Sequence, residues 1–195
     1  MEKVILASQS PRRKQLLEWA EIPFEVIAKS TDESFPAELS VEEVPIFIAR
    51  NKAVGVKKYL AEKSEYAGET ILAADTIVVL DSRIIGKPES RDDAINILTA
   101  LSGKTHKVIT GVVLMHTKGE TAFSDITSVE FHPLTSKQIA FYVDKYQPYD
   151  KAGAYAIQEW IGVTGIKSVT GDFYNVMGLP VSRVVQQLAR LNQDG

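Results

Sequence analysis

Asp75 stands in the run ILAADTIVVL, where Thr76 is the only other polar residue. A carboxylate inside an apolar β-type run must be paired, hydrogen-bonded or bound to a metal. It reads either as a structural Asp accepting backbone N–H bonds at a strand break, or as a metal ligand or general base tuned by its surroundings. A second concentration of chemistry lies in ASQSPRRKQLL, where Arg12, Arg13 and Lys14 follow Ser8-Gln9-Ser10-Pro11. Ser10 is a good N-cap and Pro11 suits the first helical position, so the cations fall on the first helical turn. There they oppose the helix dipole, at roughly 0.3–1 kcal/mol each when exposed. A phosphate held by backbone N–H groups, Ser hydroxyls and guanidinium forks accounts for the arrangement; a solvated basic turn accounts for it too.

Further cations are Lys52 and Lys87. Lys52 lies beside the helical stripe Ala49, Ala53 and Val56. It reads as an inward phosphate contact or as a snorkelling surface lysine, whereas Lys57 and Lys58 read as solvated. Lys87, in Gly86-Lys87-Pro88, can return through a hairpin to the end of the sheet that carries Asp75. His106, His116 and His132 have no metal-ligand spacing and read as strand surface residues. With no cysteine in the chain, this set of charges suggests hard-cation phosphate chemistry rather than zinc or nucleophilic catalysis. In YDKAGAYAIQEWIGVTGI the small residues Ala152, Gly153, Ala154 and Ala156 permit close backbone approach. Gln158 there offers a donor and an acceptor that could read a base edge. The stretch reads equally as a Gly-rich loop packed on a sheet.

These residues need elements to hold them. Val4–Ala7 and Phe24–Ala28 read as short strands, with a helix from Arg12 to Ala20 between them. Ser40-Val-Glu-Glu43 resembles a capping box before a helix to about Glu62, although Pro45 could mark its proper start. Ile71–Leu80 is a long strand, with Arg83–Ile85 pairing back across Asp81-Ser82. Ser90–Leu101 reads as a helix, Thr135-Ser-Lys-Gln138 as a capping box opening a helix to about Tyr146, and Lys107–His116 and Thr121–Phe131 as strands. Short strands are expected at Gly165–Val169 and Phe173–Met177, and a closing helix from Pro180 to about Leu191. Helices interleaved with strands imply an α/β fold with a mixed sheet.

At 195 residues the chain can bury a real core in one domain or two small lobes. It is 45% hydrophobic and 24% charged, with net charge −3, so no general basic field exists for a nucleic-acid polymer or acidic membrane. No signal-peptide pattern and no run of about eighteen apolar residues occurs, and a cytoplasmic setting is expected.

Taken in order, ASQSPRRKQLL, IARNKA, AADTIV, GKP, LSGKTH, DKAGAYAIQ and NVMGLP resemble the Maf family of nucleotide pyrophosphatases, from Leu6 to Pro180. The resemblance implies a single domain over residues 1–195, related to inosine triphosphate pyrophosphatases. Its fold would be an elongated mixed sheet flanked by helices, with two lobes and a central cleft. The KAGAYAIQ form resembles the branch acting on dTTP and UTP, and modified pyrimidine nucleotides come within that range. By the same resemblance Asp75 is the proton acceptor, and Arg13, Thr76 and Gln158 match substrate-specificity positions. Ser8, Ser10, Arg12, Arg13, Lys52 and Lys87 would bind phosphate. Asp75 and Glu33 would hold a divalent cation, Mg²⁺ or Mn²⁺. The partner is a small nucleotide, and a homodimer is implied. The chain departs from the usual pattern at Glu159-Trp160, where a glycine-rich continuation is common. The rival readings are a pyrophosphatase for a modified purine nucleotide such as 7-methyl-GTP, and a nucleotide-binding regulator of septum formation. Under the phosphate reading, Arg13→Ala is expected to weaken triphosphate binding while changing thermal stability little, or even raising it by relieving the dipole clash.

Overall fold

The computed structural model describes residues 2–193. The chain folds as β1 (Val4–Leu6), α1 (Pro11–Trp19), β2 (Phe24–Val26), α2 (Val44–Leu60), β3 (Thr70–Leu80), β4 (Arg83–Ile85), α3 (Arg91–Leu101), β5 (Thr105–His116), β6 (Gly119–Phe131), α4 (Ser136–Tyr146), α5 (Trp160–Gly165), β7 (Ile166–Thr170), α6 (Phe173–Met177) and α7 (Val181–Gln193). Single 3₁₀ turns lie at Ser64–Tyr66 and Ala152–Ala154. The strands follow the order β2-β1-β3-β5-β6-β7, with β4 paired to β3. Pairing is parallel for β1 with β2 and β3, and antiparallel for β3 with β4 and for β6 with β7, so the sheet is mixed.

The residues group into two compact units. The first comprises Met1–Asp75, Thr110–Asp125 and Gly178–Gly195. Its core packs the α2 residues Ala49, Ala53, Val56 and Leu60 on Ile5 and Ala7, on Ile71 and Ala73 of β3, and on Val113 and Met115 of β5. At Gly111 of β5 a Cβ would lie 2.3 Å from the backbone of Pro45 and Ile46, so only glycine lets α2 come this near the strand. The helix starts at Val44, next to the proline. Glu43 accepts at its carboxylate from the Ser40 N–H and hydroxyl, which leaves the expected capping box half made, in the turn before the helix.

The second unit comprises Thr76–Ile109 and Ile126–Met177. The β3–β4 hairpin turns at Asp81 and Ser82, both left-handed at φ 49° and 66°, the backbone of a type I′ turn. Thr135 and Gln138 form the reciprocal capping box at the start of α4, as the sequence predicts. Phe173–Met177 is helical, not a strand. The Asp172 carboxylate accepts from the N–H groups of Tyr174 and Asn175, and this local cap starts a helical turn.

His106, expected on a strand surface, is instead buried. Its Nε2 lies 2.7 Å from the Tyr155 hydroxyl, and its ring meets Phe131 and Tyr155 edge-on. Burial lowers the imidazole pKa from 6.5 to about 4, and pushes the Tyr155 hydroxyl up. Between those two pH values the unfolded chain holds a proton that the folded chain refuses. The contribution is therefore complete above pH 6.5 and is lost as pH falls toward 4. His106→Gln keeps a hydrogen-bonding group without titrating, and should flatten the fall of unfolding free energy across that window. An unchanged slope in denaturant titrations would assign the proton uptake to another group.

Candidate active site

The first unit holds seven of the predicted site residues: Ser8, Ser10, Arg12, Arg13, Glu33, Lys52 and Asp75. Pro11 opens α1 as expected, and its first turn carries no acidic residue. Ser10 is the N-cap residue, but its side chain makes no capping bond. Its own N–H donates instead to the Ser8 hydroxyl at 3.2 Å. Ser8 and Arg13 are both buried. The Arg13 guanidinium donates through Nη1 to the Ser8 hydroxyl at 3.1 Å and through Nε to the Gly178 carbonyl at 2.8 Å. Burial lowers the guanidinium pKa. The Asp75 carboxylate opposes that shift, Arg12 adds to it, and Glu33 opposes it. A buried cation at a helix N-terminus, beside a second cation, is an environment that favours an added anion.

Asp75 lies midway along β3. The strand is buried from Ile71 to Ala74 and again from Ile77 to Leu80, and only Asp75 and Thr76 interrupt it. The Asp75 side chain is 13% exposed, and its Oδ1 is 2.6 Å from Lys52 Nζ. The same ammonium lies 2.7 Å from Oε1 of Glu33, whose side chain is 47% exposed. Lys52 therefore points inward from α2 and bridges two carboxylates. Lys57 and Lys58 are exposed, as expected.

Thr76, Lys87 and Gln158 belong to the second unit. Thr76 is half-buried and follows Asp75 directly, while Lys87 and Gln158 are exposed. The Gly153 N–H donates to the Gly86 carbonyl at 3.1 Å, which ties the Gly-Lys-Pro loop to the segment that carries Gln158. Gly153 has φ +72°, and a Cβ there would lie 2.9 Å from Val78 Cγ2. Ala154 follows at φ +57°, a left-handed turn that a non-glycine residue adopts only when its surroundings hold it. After Gln158 the chain enters α5 rather than continuing as a loop.

Asp75 and Glu33 offer hard carboxylate oxygens on one ammonium. One or two carboxylates completed by phosphate oxygens is the usual donor set for Mg²⁺, so these residues fit such a cation. Among the described residues no three His, Cys, Asp or Glu side chains form a metal-holding group on their own. Sequence reasoning missed Gly178 as the acceptor for Arg13. Its signal was its place in NVMGLP, whose glycine has φ +116°.

The family model described as Maf-like protein matches residues 3–191. A dTTP/UTP pyrophosphatase of Bacteroides thetaiotaomicron is 46% identical over 190 residues, covering 97% of this chain and 96% of that protein. A dTTP/UTP pyrophosphatase of Cytophaga hutchinsonii is 46% identical over 188 residues, covering 96% of this chain and 84% of that protein. One of Parabacteroides distasonis is 46% identical over 187 residues, covering 95% and 94%.

Proposed function

The chain belongs to the Maf family, and from that premise we propose that it hydrolyses dTTP and UTP to the nucleoside monophosphate and pyrophosphate. The names of its relatives support the substrate. The observation that carries the chemistry is the Asp75 carboxylate, set in an otherwise buried strand and 2.6 Å from Lys52 Nζ. Modified pyrimidine triphosphates with the same base edge fall within the proposed range. One domain, a cytoplasmic setting and a homodimer belong to the same proposal.

In the proposed reaction Asp75 accepts a proton from water as the water oxygen bonds to the α-phosphorus. The bond from the α-phosphorus to the α–β bridging oxygen breaks, and its electron pair leaves with pyrophosphate. Ser8, Ser10, Arg12, Arg13 and the N–H groups at the start of α1 hold phosphate oxygens, and Lys52 adds its charge. Lys87 supplies a further cation to the phosphates. When bound, Mg²⁺ or Mn²⁺ would be held by Asp75 and Glu33 and would neutralise phosphate charge as a Lewis acid. Gln158 reads the O4 and N3–H edge of uracil or thymine with one donor and one acceptor, and Thr76 and Arg13 share in selecting the substrate.

Pyrophosphate release from a panel of canonical and modified triphosphates tests this reading. The expected result is dTTP and UTP well ahead of CTP and purines. Gln158→Ala should reduce that preference, because it removes the donor and acceptor that face the base edge. A first preference for 7-methyl-GTP or another purine overturns the pyrimidine reading. Tight nucleotide binding without pyrophosphate release overturns the enzymatic one.

A further inference from the structure

Glu159 and Trp160 dock the Gln158 segment on α4. Tyr142 of α4 is fully buried. Its hydroxyl donates to Oε2 of Glu159 and accepts from the Ala156 N–H at 3.1 Å. The other Glu159 oxygen lies 3.7 Å from Lys151 Nζ, and that ammonium is 2.7 Å from Asp150 Oδ1. Lys151 is buried, with a side chain only 10% exposed. One residue further, the Trp160 ring meets Phe141 of α4 edge-on, with centroids 4.9 Å apart.

Gln158 thus sits between two anchored points. The backbone two residues before it is pinned at Ala156, and the side chain directly after it is pinned at Glu159. Both anchors meet at one phenol oxygen. Lys151, at the start of the same segment, is drawn to the same carboxylate. Gln158 itself is exposed, so its own packing does not fix its direction. A carboxamide presents a donor and an acceptor, and it can turn to suit cytosine as well as uracil. On a loose backbone it can also shift to follow either base. On a fixed one, far fewer conformers reach the base edge.

We infer that Glu159 is a positioning residue for substrate choice: with Tyr142 and Lys151 it fixes the backbone that presents Gln158. The inference rests on Gln158 as the base contact.

The test measures kcat/KM for dTTP, UTP and CTP in Glu159→Gln and Tyr142→Phe, each with and without Gln158→Ala, together with thermal midpoints. Glu159→Gln keeps the shape and removes the charge that faces Lys151. It should reduce the preference for UTP over CTP by about three- to tenfold, chiefly through KM. It should add nothing to that loss when Gln158 is already Ala, because residues acting through one another are not additive. A folded Glu159→Gln protein with unchanged preference, while Gln158→Ala reduces it, overturns the positioning role and leaves the base contact standing. Full additivity in the double variant overturns it as well. If Gln158→Ala leaves the preference untouched, the base contact itself fails and the positioning role falls with it. Should Tyr142→Phe not fold, because it removes a fully buried bonded hydroxyl, Glu159→Gln still decides the matter.

Discussion

Asp75→Asn is expected to lower kcat by about a hundredfold or more while leaving the protein folded. A positioned general base contributes about 10²–10⁴-fold, and the amide lacks the basicity to accept the proton. Asparagine has the same shape, so β3 keeps its packing on both sides of the position. Its carbonyl oxygen can still accept from Lys52, which also retains the Glu33 carboxylate at 2.7 Å. The substitution therefore removes charge and basicity without stranding a buried ammonium, the change that would cost most in stability. Pyrophosphate release by the purified variant, with its thermal midpoint as a check on folding, gives the answer. Near-normal turnover would move the proton acceptor to another residue. A collapse of the midpoint would show that Asp75 holds the sheet together.

Asp75 was legible because a strand buried on both faces spells a continuous apolar run, and a single acid breaks it. The cations of α1 were legible for a similar reason, since they stand where the helix dipole disfavours them. Local signals gave mixed results: the Thr135 capping box and the Asp81-Ser82 turn stand as expected, whereas Ser10 makes no side-chain cap and the Ser40 box is half made. Part of what escaped the sequence depended on partners far along the chain. His106 alternates like a strand surface residue, but Phe131 and Tyr155 close over it. Phe173–Met177 has the apolar and aromatic content of a strand, and the Asp172 carboxylate outweighs that preference by capping a helical turn. The docking of Glu159 and Trp160 likewise needed Phe141 and Tyr142, which lie on another helix.

Arg13 shows the same division within a single side chain, and its removal is the second large effect expected. Read from the sequence, Arg13 opposes the dipole, so its loss should change stability little. The structure reverses that half of the expectation. The guanidinium is buried, and it brackets the Ser8 hydroxyl at 3.1 Å and the Gly178 carbonyl at 2.8 Å. Gly178 is 165 positions away, so this bond ties α1 to the segment entering α7. Arg13→Ala takes that donor from both acceptors and leaves a gap, at a cost of about 1–3 kcal/mol in apo stability. Arg13→Lys keeps the charge but not the fork. One ammonium on a flexible stem does not reproduce two donors of fixed geometry, so part of the cost should remain. Triphosphate hydrolysis should fall too. A charge-assisted bond is worth about 1.5–3 kcal/mol, or roughly tenfold to a hundredfold in kcat/KM for Arg13→Ala, with Arg13→Lys between it and wild type. Denaturant melts of the apo proteins and kcat/KM for dTTP separate the two roles. A fall in stability with unchanged kcat/KM would make Arg13 a structural bracket alone, and the anion at α1 would then have to be held by Arg12 and the backbone N–H groups. Unchanged stability with lost activity would mean that the Gly178 bond contributes nothing net, and that the buried charge is kept for the substrate.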